Sequence, residues 1–220
     1  MNKMNNSVKQ VNTLLNRTKD TSANQTTVSF LYDWDGRRKY LTTVERRAFL
    51  AAAKRVPVEI RAFCTVLAYT GARISEVLAL APKHFDRSAQ LIVFESLKKR
   101  RKGVFRAVPV PAALLRLVDE LRLKGGGAGH ETADRLLWDW SRTTAWNQVK
   151  NVMAMAQIVG PQASAKGLRH AFAVGAIQAG VPVNFIKRWL GHARLSTTEI
   201  YLEAMGEEEQ AIAARAWKAF

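Results

Sequence analysis

Residues 190–204 read LGHARLSTTEIYLEA. Gly191 and His192 open the stretch, a Ser-Thr-Thr cluster follows, and Tyr201 stands alone near its end. Taken by itself the stretch has two readings. In one, His192 caps a helix and Tyr201 packs into a core. In the other, the phenol is a nucleophile and the imidazole serves it. The rest of the chain decides between them.

The chain has 220 residues, enough for one well-filled domain, and its 48% apolar content supports a packed core. Lys and Arg number 34 against 18 Asp and Glu, a formal net charge of +16. Such an excess favours a polyanionic partner, either nucleic acid or an anionic membrane surface. No apolar run approaches the roughly 20 residues of a spanning helix. The N-terminus, MNKMNNSVKQ, lacks the apolar core of a signal peptide. Cys64 is the only cysteine, so neither an intrachain disulfide nor a cysteine zinc site can form. A packing role for it follows from its place in IRAFCTVLAY. These features predict a cytoplasmic, nucleoid-associated protein bound to nucleic acid, with no membrane partner.

Residues 1–40 are rich in Asn, Thr, Lys and Ser and read as a flexible polar and basic arm. From Thr42 the pattern changes. Thr42 and Glu45 have capping-box spacing ahead of the helix-forming run RRAFLAAAKR. Pro57 separates it from a second helix, VEIRAFCTVLAY, which ends near Gly71, and ARISEVLAL reads as a third, stopped by Pro82. LIVF (91–94) and VFRAVPV (104–110) are β-like runs flanking the basic turn LKKRRKG. AALLRLVDELRL is helical and is broken by glycines at 125–127. Helices follow at roughly 143–158, 168–179 and 183–190, then a short one carrying LSTTEIYLEA and a last one at about 206–220. The expected fold is mostly α with a small antiparallel β-sheet, an α+β catalytic domain over residues 41–220.

Three further places carry unusual charge. In YTGARISEVLAL, Arg73 begins an apolar helix, and Glu76 shares its face one turn later, where it can hold the guanidinium. The turn Lys98, Lys99, Arg100, Arg101 and Lys102, with Arg106 in the strand beyond, reads as a phosphate-gripping patch. In SAKGLRHAFAVGAI, Arg169 and His170 open an apolar helix with Lys166 just ahead, and an arginine so placed needs a partner or a bound anion. Each place alone also fits a solvated surface. Together they make a chemical set. Two arginines can clamp the nonbridging oxygens of a phosphodiester. A lysine on a mobile turn can protonate a departing alkoxide. The phenol, with a pKa of about 10, needs surrounding cations and a nearby base, and His192 is the candidate for that neighbour. There is no carboxylate cluster for magnesium, so neither metal nor cofactor is expected and the cations carry the electrostatic work.

TGARISEVLAL, KGLRHAF and LGHARLSTTEIY, in that order and with these separations, resemble the boxes of the tyrosine recombinase (phage integrase) family. The resemblance covers about residues 41–205. Any one box is weakly specific, but three in order with the basic β-turn are highly so. By that resemblance Arg73 and Arg169 are the clamp, Glu76 a supporting acid, His170 a pocket support, His192 the pocket histidine and Tyr201 the nucleophile. The hairpin lysine maps best to Lys98, with Lys99 its close rival. The family implies a double-stranded DNA recombination site as partner and self-association to a tetramer, with the C-terminal helix either docking into a neighbouring subunit or packing back onto its own domain.

Two departures stand out. The second box usually begins with histidine, where Lys166 stands here; lysine still donates to phosphate but is a poorer proton acceptor at neutral pH. The polar arm also replaces the usual core-binding domain, as in short, catalytic-domain-only members, leaving a role for the arm or an accessory protein in gripping DNA. The implied function is site-specific recombination through a 3′-phosphotyrosyl link. Two alternatives remain: a type IB topoisomerase-like enzyme that rejoins the same strand, and a non-catalytic DNA-binding accessory or regulatory protein on the same scaffold.

Overall fold

The computed structural model describes residues 31–96, 103–124 and 134–202, with two isolated C-terminal positions, 214 and 217. Helix α1, Thr43–Ala53, opens as its sequence requires: the backbone N–H of Glu45 donates to the Thr42 hydroxyl at 3.2 Å, and that of Thr42 to the Glu45 carboxylate at 2.8 Å. Helix α2, Val58–Thr70, is apolar on most sides because it runs through the middle of the domain. It packs on α1, on α4 (Ala112–Lys124), on α5 (Arg142–Met155) and on α6 (Ala165–Gln178). Phe63, Cys64, Val66 and Leu67 are fully or almost fully buried there. Gly71 ends α2 in the left-handed region at φ 61, a conformation that costs glycine little. The single turn of α3, Ile74–Leu78, follows at once.

The sheet has three antiparallel strands in sequence order, β1 Phe85–Asp86, β2 Leu91–Glu95 and β3 Phe105–Pro109. Ile92 faces Val108 and Phe94 faces Arg106 across the central pair. Two strands were expected; β1 was missed because two residues carry no periodicity. The hairpin turn over 97–102 lies outside the described residues, as do 125–133 and nearly all of the expected C-terminal helix.

Helix α6 begins three residues before the expected 168. The Ser164 hydroxyl accepts from the Gly167 N–H at 3.0 Å, and this cap adds Lys166 to the first turn. Gly167 is required by proximity: a Cβ there would stand 1.9 Å from the Gln162 carbonyl oxygen. Helix α7, Val183–Leu190, has the expected bounds, closed by Gly191 at φ 67. The helix expected across LSTTEIYLEA is shorter: α8 covers Ser196–Glu199, and Tyr201 donates its N–H to the Thr198 carbonyl at 3.1 Å in a tightened last turn.

Two apolar clusters result. The larger joins α2, α4, α5 and the sheet, and the smaller gathers Phe172, Val174, Ile186, Leu190, Ile200 and Tyr201 with Leu31. Leu31 falls within the arm expected over 1–40, yet it is buried in the smaller cluster, with Tyr32 and Tyr40 packed against it. Tyr32 pairs with Arg38 around a turn in which the Asp33 carboxylate accepts from the N–H groups of Asp35 and Arg37, and Arg38 reaches Glu45 at 2.9 Å. Residues 1–30 lie outside the described residues. Among those described, no helix is long and apolar enough to cross a membrane.

Candidate active site

The glycine cap of α2 aims α3 so that Arg73 stands at the edge of a cavity of about 660 Å³. Its guanidinium is 2.8 Å from the Glu76 carboxylate, and its backbone N–H donates to the same carboxylate at 2.7 Å. Glu76 is 3% exposed. Burial works against its charge, but hydrogen bonds from Arg106 outweigh this and hold the carboxyl below its ordinary range. Arg106 thus has a place other than the expected phosphate patch. It is buried, donates to Glu76 at 2.7 and 3.1 Å and to the Trp189 carbonyl at 2.7 Å, and lies over the Phe94 ring. It ties β3, α3 and α7 together. The cause is register: opposite Phe94 on β3, its side chain turns to the covered face of the sheet. Lys98, Lys99, Arg100, Arg101 and Lys102 lie outside the described residues.

Arg169, on the first turns of α6, is 8% exposed and meets two carbonyls, that of Gly71 at 2.6 Å and that of Leu190 at 2.7 Å. These bonds lock its orientation and leave other N–H groups for a ligand, since guanidinium carries five. Burial, with Arg73 nearby, lowers its pKa to about 10, so it stays charged at neutral pH. Lys166 lines the same cavity.

The tyrosine settles the question raised by its sequence in an unexpected way, because it does pack in a core. Tyr201 is 2% exposed and belongs to the smaller cluster, yet it also lines the cavity beside Arg73, Arg169 and Lys166. Its hydroxyl lies 2.9 Å from Nδ1 of His170. His192, expected as the neighbour serving the phenol, instead stacks its ring parallel to Tyr201 with centroids 6.4 Å apart and pairs its Nδ1 with the Thr198 hydroxyl at 2.9 Å. Burial raises the pKa of the phenol, and the charges of Arg169 and Arg73 pull it back down. Burial and the neighbouring Lys166 and Arg169 push His170 down to about 4. Burial, then Arg169 and Arg73, push His192 to about 3. Both imidazoles are neutral at pH 7, and a neutral imidazole can accept a phenolic proton. His170 Nε2 is buried with no partner among the described residues.

The cavity therefore gathers Arg73, Glu76, Lys166, Arg169, His170, His192 and Tyr201 from α3, α6 and the segment after α7. Sequence reasoning missed Arg142 and Trp146 of α5, which also line it. The available signal was Trp146, an aromatic residue on the polar side of an otherwise amphipathic helix.

A helical domain with a small antiparallel sheet, closed around two arginines, two histidines and a tyrosine, defines the tyrosine recombinase catalytic fold. The solved structure of XerA recombinase superposes with a TM-score of 0.68 at 22% identity, over 80% of this chain and 64% of that one. XerH recombinase in a pre-cleavage complex with its difH substrate gives 0.65 at 21% identity, over 79% and 57%. The chain belongs to the phage integrase family, whose profile matches residues 39–208. Among curated relatives, tyrosine recombinase XerA of Thermococcus kodakarensis is 30% identical over 173 residues, and XerD of Haemophilus influenzae is 30% identical over 179. Each match covers 77% of this chain and 59% of the relative, so the chain spans about three fifths of their length.

Proposed function

We propose that this chain is a site-specific DNA recombinase that cuts and rejoins strands through Tyr201. The observation that carries the reading is the convergence of Tyr201, Arg73, Arg169 and Lys166 on one cavity. In the first step the phenolic oxygen attacks phosphorus, the bond to the 5′ oxygen breaks, and a 3′-phosphotyrosyl ester forms. The phenolic proton passes to a neutral base, for which His170 is the nearest group, at 2.9 Å. The 5′ oxygen leaves as a hydroxyl, protonated by the hairpin lysine, Lys98 or Lys99. In the second step a 5′ hydroxyl of a partner strand, giving its proton to the hairpin lysine, attacks the ester; the bond to Tyr201 breaks, the phenol recovers its proton from His170, and the diester is restored. The ester conserves the bond energy, so no nucleotide hydrolysis is needed. Arg73 and Arg169 neutralise the nonbridging oxygens as charge grows on them, and Lys166 adds a third cation.

Strand exchange between two sites calls for two cleaving subunits on each, so the assembly we propose is a tetramer on paired double-stranded DNA at the nucleoid. The XerH structures, solved with a difH substrate, lend support to a DNA site as the partner.

The test uses labelled, nicked duplexes taken from the DNA that flanks the chain's own coding sequence, with EDTA present and denaturing electrophoresis as the readout. A shifted, protease-sensitive band from wild type, lost in Tyr201→Phe, is the expected result. Bound DNA without a band from either protein would favour the non-catalytic reading. Relaxation of supercoiled plasmid lacking any such site would favour the topoisomerase.

A further inference from the structure

Arg142 and Trp146 line the same cavity as Arg73, Lys166, Arg169 and Tyr201 but take no part in the chemistry above. They stand four residues apart on α5, which sets them on one face at a helical rise of about 6 Å. Arg142 is exposed and makes no ion pair among the described residues. It occupies the first turn of α5, where the helix dipole disfavours a cation, so a neighbouring anion would relieve it. Trp146 remains 47% exposed, although the Lys150 ammonium lies 5.9 Å from its ring centroid. Lys150 is itself held by the Ala163 carbonyl at 2.9 Å. That bond ties α5, which carries Trp146, to the turn ahead of α6, which carries Lys166 and Arg169.

A half-exposed indole on the same helix face as an exposed guanidinium, both lining a cationic pocket, has the make-up of a single-strand platform: a π-face for a base and a cation for the backbone. We propose that Arg142 and Trp146 form a strand-holding subsite beside the reaction centre. The indole stacks on the base or sugar of a nucleotide flanking the reacting phosphate, and the guanidinium binds the next phosphate along that strand. The inference rests on the strand-transfer reading and deepens it. The net charge of +16 and the continuity of this surface with the arginine pocket argue for DNA as its occupant.

The test measures equilibrium binding of the full chain to a short labelled duplex of mixed sequence carrying a single-stranded gap, across a series of salt concentrations, with melting temperatures alongside. Trp146→Ala should bind roughly tenfold more weakly with an unchanged salt slope, since loss of one stacked base has about that effect. Trp146→Phe should restore most of the loss. Arg142→Gln should reduce the slope of log affinity against log salt by about 1. Both side chains are exposed, so all three variants should melt as wild type does. Wild-type affinity and slope in both Trp146→Ala and Arg142→Gln would overturn the proposal. A Trp146→Ala defect that phenylalanine does not restore, and that follows a lowered melting temperature, would overturn it too. Binding needs no reaction at Tyr201. Shifted binding without a covalent adduct would leave the subsite standing while the recombinase reading fell; an adduct with unshifted binding would remove the subsite alone.

Discussion

The Tyr201 hydroxyl lies 2.9 Å from Nδ1 of His170, while the His192 ring runs parallel to the tyrosine ring with centroids 6.4 Å apart. Two histidines of the same pocket thus have different contacts with one phenol. In the reaction proposed above the proton would pass to His170, whereas His192 turns its Nδ1 to the Thr198 hydroxyl. Burial raises the phenol's pKa, so a neutral acceptor in contact with the hydroxyl matters more here than beside a solvated tyrosine.

His170→Phe should therefore slow formation of the covalent adduct by about 10²- to 10⁴-fold, the range for loss of a positioned base. DNA affinity should change little. His192→Phe keeps a flat ring against Tyr201 and leaves the His170 contact in place, so its effect should be smaller. Single-turnover adduct formation measures both. The reverse order would assign the proton to His192 and make the His170 contact a resting arrangement.

The same histidines make the fold sensitive to mild acid. Their folded pKa values are about 4 and about 3, against 6.5 for the free side chain. Between these limits the unfolded chain binds more protons, so stability falls as pH drops below 6.5 and levels off once the folded values are passed. His170 alone should contribute on the order of 3 kcal/mol across that window. Glu45, held at about 2 against 4.5, extends the loss to lower pH. Denaturant midpoints at pH 7 and pH 5 would show the fall, and His170→Phe should flatten it.

Glu76 joins the clamp to the scaffold. Removing it by Glu76→Ala leaves Arg106, 6% exposed at its side chain, without a counter-charge. A cost of about 3–5 kcal/mol is expected. Arg106→Ala leaves Glu76 with Arg73 still paired to it and should cost less; the double variant should lose less than the two single losses together, because either change already breaks the same contact. Chemical denaturation of the four proteins gives the coupling.

Gly167→Ala puts a methyl group at 1.9 Å from the Gln162 carbonyl oxygen, which is backbone and cannot swing aside. The start of α6 must shift, and with it Lys166 and Arg169. We expect at least 3 kcal/mol of destabilisation, at the severe end for one substitution. Adduct formation should fall further than the folded fraction alone explains. Activity that tracks the folded fraction would show that the pocket tolerates the shift.

Helix periodicity, proline and glycine stops and the Thr42 cap made most of the helices legible, because these signals act within a few residues of one another. Helix α7 was readable to the residue, since Pro182 precedes it and Gly191 ends it. The boxes around Arg73, Arg169 and Tyr201 also named the residues that share the cavity, for the types required to hold a phosphate are few. Strand β1 and the early start of α6 were not legible, being set by pairing with β2 and by a Ser164 side-chain bond.

By itself, then, the sequence determined which cationic and nucleophilic side chains this protein brings to its pocket, and roughly which helices present them. Tertiary structure alone decided which of them touch. It turned Arg106 inward to Glu76, gave the Tyr201 hydroxyl to His170, and brought Trp146 to the pocket mouth. The physical reason is range. Periodicity and capping are encoded by near neighbours in the chain, whereas these contacts join residues from separate elements whose approach depends on how the two apolar clusters pack.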